Sequence, residues 1–517
     1  MKIGIISVFT DYHRRGKRNR LPMQPGIGPL IAGLLPPDVD IEIVNETWRA
    51  PDWQSDYDLL LISCLHSDFD RARQISHYWR RRGATTVLGG SLASSYPNLC
   101  QPYFDSIVVG DPEVCVQALY ADFLGKSLKP RYVSTQYEGT QVPRPRFDLI
   151  SGQSLTPISL EATRGCPFQC DFCVLTGLGT RHHFRPVADV LRDIRHGQAA
   201  VARWWMPARH RIIGFADNNI GGSIPYLRAL CAALAPLKLQ WYAAATFNIA
   251  ANRELVRLMS RAGCRVLFVG LESFNPMAIR DMNKGQNVIS KIRSVIENCR
   301  NSGILLTSGL MLSPIADNLD YLRAVPDHLD ASGLRVPTFT CFETPIPGTP
   351  NFRRLATGPK PALLPNALLR DFAGYTLTVR PAHAPIDEFV AAYRALVEKV
   401  YSPGRRLRNA TENIFHFARD GYWFPALVNA LDMMGLDAIP DGDRSLLAGS
   451  DKPPPEQVPL RDADFETAEE RSRIMEPWLV TDERGRALPQ WISAQAVFRR
   501  QRGPVHATLS SDATAAL

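Results

Sequence analysis

Cys166, Cys170 and Cys173 stand together in Arg164-Gly-Cys166-Pro-Phe-Gln-Cys170-Asp-Phe-Cys173, directly after an apolar run that reads as a strand. Soft thiolates at this spacing on one loop can hold zinc or an iron–sulfur cluster. Zinc needs a fourth ligand, which His182 or His183 could supply. A redox disulfide is a further use of such thiols. Three ligands make a poor structural zinc site but suit a cubane that keeps one iron open, so the spacing favours the cluster. Other polar groups recur at strand ends: Asp217-Asn218-Asn219, Thr246 with Asn248, Glu272-Ser273, Ser308-Gly309 and the turn Pro345-Ile-Pro-Gly348-Thr-Pro350. Taken singly, Asp217 or Glu272 reads as an ordinary strand-end cap and the proline segment as a turn.

These residues need a scaffold, and the sequence has an α/β rhythm that supplies one. In the first ~150 residues, strands are expected at Lys2–Val8, Ile41–Val44, Asp58–Ser63, Thr85–Leu88 and Ser106–Val109, with helices at Asp68–Arg82 and Glu113–Leu124. Gly89-Gly90 and Gly110-Asp111-Pro112 follow two of these strands, where doubly wound sheets bind ligands; plain turn chemistry is the simpler reading. Residues 131–157, with Val142-Pro-Arg-Pro-Arg-Phe147, read as an extended linker. From Ile158 to about residue 358 longer units follow. Strands are expected at Ile158–Thr163, Arg211–Ala216, Gln240–Ala245, Arg265–Gly270, Ile304–Met311 and Thr338–Phe342. Six such βα units imply a partial (β/α)6 barrel of the TIM type, with chemistry at the carboxyl ends of its strands. Residues 359–450 read as mainly helical, and 451–517 as an extension ending in a disordered tail.

The whole chain has 517 residues, enough for about three domains at roughly 150 residues each. Hydrophobic residues are 45% and charged residues 21%, which excludes global disorder and a small disulfide scaffold. The net charge of +8 is mild for this length and by itself implies neither an anionic substrate nor a membrane surface. The opening Met1-Lys-Ile-Gly-Ile-Ile-Ser-Val-Phe9 is too short an apolar run for a signal peptide, and no other run approaches the ~20 residues of a membrane span. A cytoplasmic chain is expected, in which crowded thiols serve metal or redox chemistry.

The Cys loop after the first barrel strand, with Phe172 before its last Cys, resembles the radical S-adenosylmethionine superfamily. That resemblance covers roughly residues 155–355. It implies that Cys166, Cys170 and Cys173 hold a [4Fe–4S] cluster whose fourth iron chelates S-adenosylmethionine. It also implies one-electron cleavage of that cofactor to a 5′-deoxyadenosyl radical, with the electron from a flavodoxin- or ferredoxin-type donor. By the same resemblance Phe172 flanks the adenine. Asp217, Asn218, Thr246, Asn248, Glu272, Ser273 and Ser308 face the amino acid or ribose parts of the cofactor.

The first domain, taken as residues 1–130, resembles the Rossmann-like (flavodoxin-like) cobalamin-binding domain of the cobalamin-dependent class. Leu21-Pro22…Gly26-Ile-Gly28-Pro-Leu-Ile-Ala looks like its loop and first helix, and Ile43-Val-Asn-Glu46 like its second strand end. Ser63, Gly89, Gly90, Ser91, Gly110, Asp111, Pro112 and Glu113 are then the expected corrin-side residues. The DxHxxG motif that supplies a histidine to cobalt in many cobalamin proteins is absent; Asp11-Tyr-His13 does not continue it. Methylthiotransferases are a minor alternative, since Cys64, Cys100 and Cys115 could hold a second cluster, but the first strand and its loop carry no Cys. Residues 375–406 also resemble the tail of cobalamin-type enzymes. The aromatic-rich stretch 413–435, with apolar Phe415, Ala418, Tyr422, Leu427, Leu431 and Met434, reads either as a lid over a lipid substrate with Arg405, Arg406 and Arg408 at phospholipid, or as a helix packed on the barrel, which is the commoner use of such a stripe.

The class implies a C-methyltransferase. One S-adenosylmethionine gives its methyl to cobalamin, a second is cleaved, and the substrate carbon radical takes the methyl from methylcobalamin. Cyclisation or ring rearrangement with the same cofactors is the alternative, and a non-enzymatic cobalamin sensor a minor one. The substrate is a small molecule, lipid or natural product. No nucleic acid is expected; peripheral membrane contact is compatible.

Overall fold

The computed structural model describes residues 1–10, 25–134, 142–153, 156–201, 207–435, 446–450 and 456–493. Asp11, His13, Leu21, Pro22, the side chains of Leu431 and Met434, and the tail from residue 494 lie outside them. The first unit is a six-stranded parallel sheet: β1 Lys2–Ser7, β2 Asp40–Asn45, β3 Leu59–Ser63, β4 Thr85–Gly89, β5 Ser106–Val109 and β6 Arg131–Val133. Its order is β2-β1-β3-β4-β5-β6. The strands are nearly continuous apolar runs because both faces are covered. β6 falls within the stretch read as linker. Three residues, Arg-Tyr-Val, carry too short a pattern to be told from loop, and pairing to β5 makes them a strand.

The two faces of this sheet are covered differently. Helices Ile27–Leu34 and Pro112–Leu124 pack on one, with Ile5, Leu61 and Val108 beneath them. Helix Phe69–Arg80 packs on the other, and beside it lie side chains from far downstream, including Phe352, Phe372, Val458, Ile474 and Trp491. Residues 456–493, read as an extension, therefore complete the first unit's core. Arg73, 1% exposed, fastens them: its guanidinium binds Asp70 and donates to the carbonyls of Arg473 and Glu476. His77 stacks on Phe465 at 4.9 Å, and the Tyr96 hydroxyl donates to the Trp491 carbonyl at 2.8 Å.

The second unit begins with β7 Ser159–Leu160 and a short antiparallel hairpin, β8 Thr163–Arg164 with β9 His183–Phe184. β10 Ile212–Phe215, β11 Gln240–Ala245, β12 Cys264–Val269 and β13 Leu305–Thr307 continue a parallel sheet in the order β7-β10-β11-β12-β13. The fifth barrel strand breaks at Ser308 and resumes as β14 Gly309–Leu312, which pairs with β15 Phe339–Phe342. A parallel bridge from Glu272 to Leu310 joins the two parts. Six strand positions with helices outside make the partial barrel expected from the sequence.

Helices Pro403–Arg419 and Trp423–Gly435 form a hairpin against the barrel. Phe417 and Phe424 pack on Ile212, Val266 and Leu305, which all lie at strand starts. The stretch packs on the barrel, the commoner of its two readings, at the amino end opposite the Cys loop and not as a lid. Among the described residues, no helix is long and apolar enough to cross a membrane.

Candidate cluster and cofactor cleft

The Cys loop leaves the barrel through the β8–β9 hairpin. Gly165 has φ +81, and a Cβ there would run into the Arg181 carbonyl, so this position needs glycine. Past it the loop is pinned from outside. Asp171 N–H donates to the Met282 carbonyl at 3.0 Å, the Asn283 amide to the Gln169 carbonyl at 2.7 Å, and Asn351 N–H to the Asp171 carbonyl at 3.0 Å. Cys170 is buried and Cys166 and Cys173 are half-buried. Donors are aimed at the sulfurs: Asn219 Nδ2 lies 3.8 Å from Cys166 Sγ and Gln286 Nε2 3.7 Å from Cys170 Sγ. Burial pushes all three thiols up, while the Lys284 charge acts in the opposite sense on each. Among the described residues, no three His, Cys, Asp or Glu side chains gather as ligands of a single ion, so neither His182 nor His183 completes a four-ligand zinc site. In a cubane each thiolate binds its own iron, and N–H groups directed at sulfur belong to that chemistry. The donor set fits a cluster.

The groups expected at S-adenosylmethionine divide into two sets. Several are turned into the scaffold. Asp217 is buried, and its carboxylate accepts from Ala162 N–H at 3.1 Å, Thr163 N–H at 2.5 Å and the Thr163 hydroxyl at 2.6 Å. Burial pushes its pKa up to about 7, against the pull of those donors. Ser273 bonds the Tyr321 hydroxyl at 2.9 Å, and Ser308 accepts from Leu271 N–H at 3.2 Å across the break in the fifth strand. These three hold strand ends in place. Others are not committed to the scaffold in this way: Asn218 and Asn248 are exposed, and Thr246 donates to Asn219 Oδ1 at 3.4 Å. Glu272 sits at φ +65, a conformation a non-glycine residue seldom takes, and forms a buried ion pair with Lys284. Lys284 Nζ also lies 5.6 Å from the Phe172 ring centroid. Phe172 packs near Ala278, Met282 and Ala316.

The expected corrin-side residues come together. A cleft of about 390 Å³ runs between the carboxyl ends of the first sheet and those of the barrel. Ser63, Gly89, Gly90, Ser91, Gly110, Asp111 and Pro112 line it from one side, and Glu161, Arg164, Ala216 and Asn218 from the other. Gly90 has φ +99, and a Cβ would sit 3.2 Å from both the Cys64 carbonyl and Ser63 Oγ. Ser94 ties the two glycine loops, accepting from Gly110 N–H and donating to the Gly90 carbonyl, each at 2.9 Å. The backbone thus comes to the cleft edge with no side chain in the way, a cradle suited to a large flat ligand. Glu113 turns from the cleft to Arg164. That guanidinium binds Glu113 at 2.8 Å, Asp111 at 2.7 Å and Glu161 at 2.7 Å. Arg164 is two residues from Cys166, so one side chain joins the first sheet to the cluster loop.

Cys64, Cys100 and Cys115 do not form a second site. All three are buried, and Cys115 lies in the core on the opposite sheet face from Cys64 and Cys100. The sequence reading singled out neither Asn219, Lys284 and Gln286 nor Glu343. Asn219 was in view as the last residue of Asp217-Asn218-Asn219. Lys284 and Gln286 stand in a turn more than ten residues past Glu272, where no local pattern signals a return to the Cys loop. Glu343 directly follows β15, is buried, accepts from Asn351 Nδ2 at 3.0 Å, and burial pushes its pKa up to about 7.

Residues 160–322 match the Radical SAM superfamily. The bacteriochlorophyllide d C-8(2)-methyltransferase of Chlorobaculum tepidum is 26% identical over 62% of this chain and 73% of its own. The hopanoid C-2 methylase of Rhodopseudomonas palustris is 23% identical over 75% of this chain and 73% of its own. Among solved structures, the cobalamin-dependent S-adenosylmethionine radical enzyme OxsB, with aqua-cobalamin and S-adenosylmethionine bound, has the same fold. It superposes with a TM-score of 0.57 at 14% identity, covering 87% of this chain and 76% of that one.

Proposed function

We propose, for a chain that carries a radical SAM domain across residues 160–322, that it is a cobalamin-dependent radical S-adenosylmethionine methyltransferase acting on an unactivated carbon of a small-molecule acceptor. One observation carries the reading: the glycine-edged ends of the first sheet and the barrel's strand ends flanking the Cys loop, with Arg164 two residues before Cys166, line the same cleft. Methyl transfer to a carbon radical requires the radical source and the methyl carrier to reach one substrate atom, and a shared cleft meets that requirement. The cluster with S-adenosylmethionine supplies, when bound, the hydrogen-abstracting radical, and cobalamin supplies the methyl group.

The chain's own part is to hold and exclude. Cys166, Cys170 and Cys173 are the cluster ligands, with Asn219 and Gln286 donating to sulfur. Asn218, Thr246 and Asn248 are placed to meet S-adenosylmethionine, with Phe172 beside its adenine. Asp217, Ser273 and Ser308 act one step back by fixing the strand ends. Lys284, held by Glu272, keeps a positive charge beside the thiolates. Ser63, Gly89, Gly90, Ser91, Gly110, Asp111 and Pro112 form the corrin side, and Glu113 sets Arg164. Aliphatic lining from Leu61, Val87, Val108, Leu160 and Leu178 keeps water from a reactive radical. The two relatives act on a bacteriochlorophyllide and a hopanoid, both bulky and largely apolar, and an acceptor of that kind suits such a lining. We place the chain in the cytoplasm with a flavodoxin- or ferredoxin-type donor.

The test is anaerobic turnover with methyl-labelled S-adenosylmethionine, reduced flavodoxin and candidate apolar acceptors. The reading predicts 5′-deoxyadenosine, S-adenosylhomocysteine and a product heavier by one methyl group. A product of unchanged carbon count, formed with 5′-deoxyadenosine, would move the assignment to cyclisation or rearrangement.

A further inference from the structure

The amino end of the barrel carries a second cavity, far from the cleft. It has a volume of about 340 Å³ and is bounded by Lys238, Gln240, Arg261, Gly263, Arg265, Tyr422 and Trp423, among others. Three of its side chains are cationic, and among the described residues no Asp or Glu lines it. Arg211 stands at its edge, donating to the Lys238 carbonyl at 3.2 Å. None of Lys238, Arg261 and Arg265 has a carboxylate at ion-pair distance among the described residues. The nearest acid in sequence, Asp420, is engaged by Arg419 at 3.1 Å.

Arg265 is the most informative of the three. It is half-buried, its Nη1 donates to the carbonyls of Ser260 and Cys264, and its guanidinium lies 4.9 Å from the Tyr422 ring centroid. Among the described residues these backbone bonds engage Nη1, and the N–H groups of Nε and Nη2 are left for a ligand. A guanidinium held in this way, partly desolvated and without a counter-ion, costs free energy unless an anion joins it. Lys238 and Arg261 are exposed on either side of it. Trp423, 45% exposed, gives the rim an apolar wall.

We infer that this cavity is an oxyanion site for a phosphate group, free or carried on an organic body that rests against Tyr422 and Trp423. Planar fork geometry on Arg265 with two exposed cations beside it is the arrangement that phosphate takes. The site is separate from the proposed catalysis, since it lies at the strand starts and shares no residue with the cleft.

The test uses the full-length protein and three probes: inorganic phosphate, phenyl phosphate, and vesicles of either phosphatidylcholine alone or phosphatidylcholine with phosphatidylglycerol. Binding is read by equilibrium dialysis, tryptophan fluorescence and co-sedimentation. The double variant Lys238→Glu/Arg261→Glu changes only exposed side chains. Its near-ultraviolet circular dichroism reports whether the fold is kept. Saturable binding of a phosphate probe is expected, weakening with salt and falling by about tenfold or more in the double variant. Capture by the anionic vesicles alone makes a lipid headgroup the source of the phosphate. Binding of the soluble probes alone makes it a free ligand. No saturable binding of any probe, or equal binding by the folded double variant, overturns the site.

Discussion

At the residue scale, what the cluster loop does depends on the groups that return to it from other strands. Asn219 and Gln286 reach Cys166 and Cys170 with neutral amide donors. A hydrogen bond to a ligand sulfur favours the reduced cluster, because that form carries more negative charge. Asn219→Ala should therefore retain its iron and lower the cluster potential. One bond of about 1 kcal/mol corresponds to about 40 mV for one electron, measurable by potentiometric electron paramagnetic resonance. The Glu272–Lys284 pair has a different signature. Removing either partner leaves a buried charge alone, so Glu272→Gln or Lys284→Met should each cost about 3–5 kcal/mol in denaturant unfolding. The double variant should cost clearly less than the sum of the two, the mark of a coupled pair. The thiols themselves were legible from spacing. Their amide donors were not, because residues brought together by barrel closure leave no trace in a local pattern. Asp217 shows the converse: its place at a strand end was correctly read, but its carboxylate is committed to Thr163.

At the element scale, the strands were the legible part. β10, β11 and β12 fall within a residue or so of the expected runs, because central parallel strands are continuous apolar stretches between breaks. The β8–β9 hairpin and β6 escaped notice because two or three residues carry no period. The expected fifth barrel strand is real but divided, with Ser308 at the break. The glycine loops of the first sheet were placed correctly, and their backbone geometry gives a specific test. Gly90→Val adds branched bulk where even a Cβ meets Ser63 and Cys64, at a φ that valine resists. This change should abolish cobalt retention in spectra of the reconstituted protein and leave the iron content unchanged. Loss of both would mean that the glycine serves the fold as a whole.

At the scale of the whole molecule, the units are not independent beads. The first sheet borrows about a third of one core from residues 350–380 and 456–493, which follow the barrel in sequence. The sequence marked residues 451–517 as an extension because their few apolar residues lack a period. Trp478 and Trp491 each serve as single anchors, which periodicity does not detect. Removing residues 456–517 should expose Phe69 and Tyr103, which pack on Trp478, lower the melting temperature by several degrees or more, and produce aggregation visible in light scattering. A first unit expressed alone should fare no better. Arg164, with three carboxylates from both units around it, then acts on a geometry that these wraps already hold. The central claim is that this geometry brings a cluster and a corrin to one cleft. Anaerobic reconstitution with iron, sulfide and cobalamin, followed by metal counting on the gel-filtered protein, tests it most directly. About four iron and one cobalt per chain are predicted, with iron lost and cobalt kept when Cys166, Cys170 and Cys173 are replaced by Ala. Iron without cobalt, or zinc in place of iron, would contradict it.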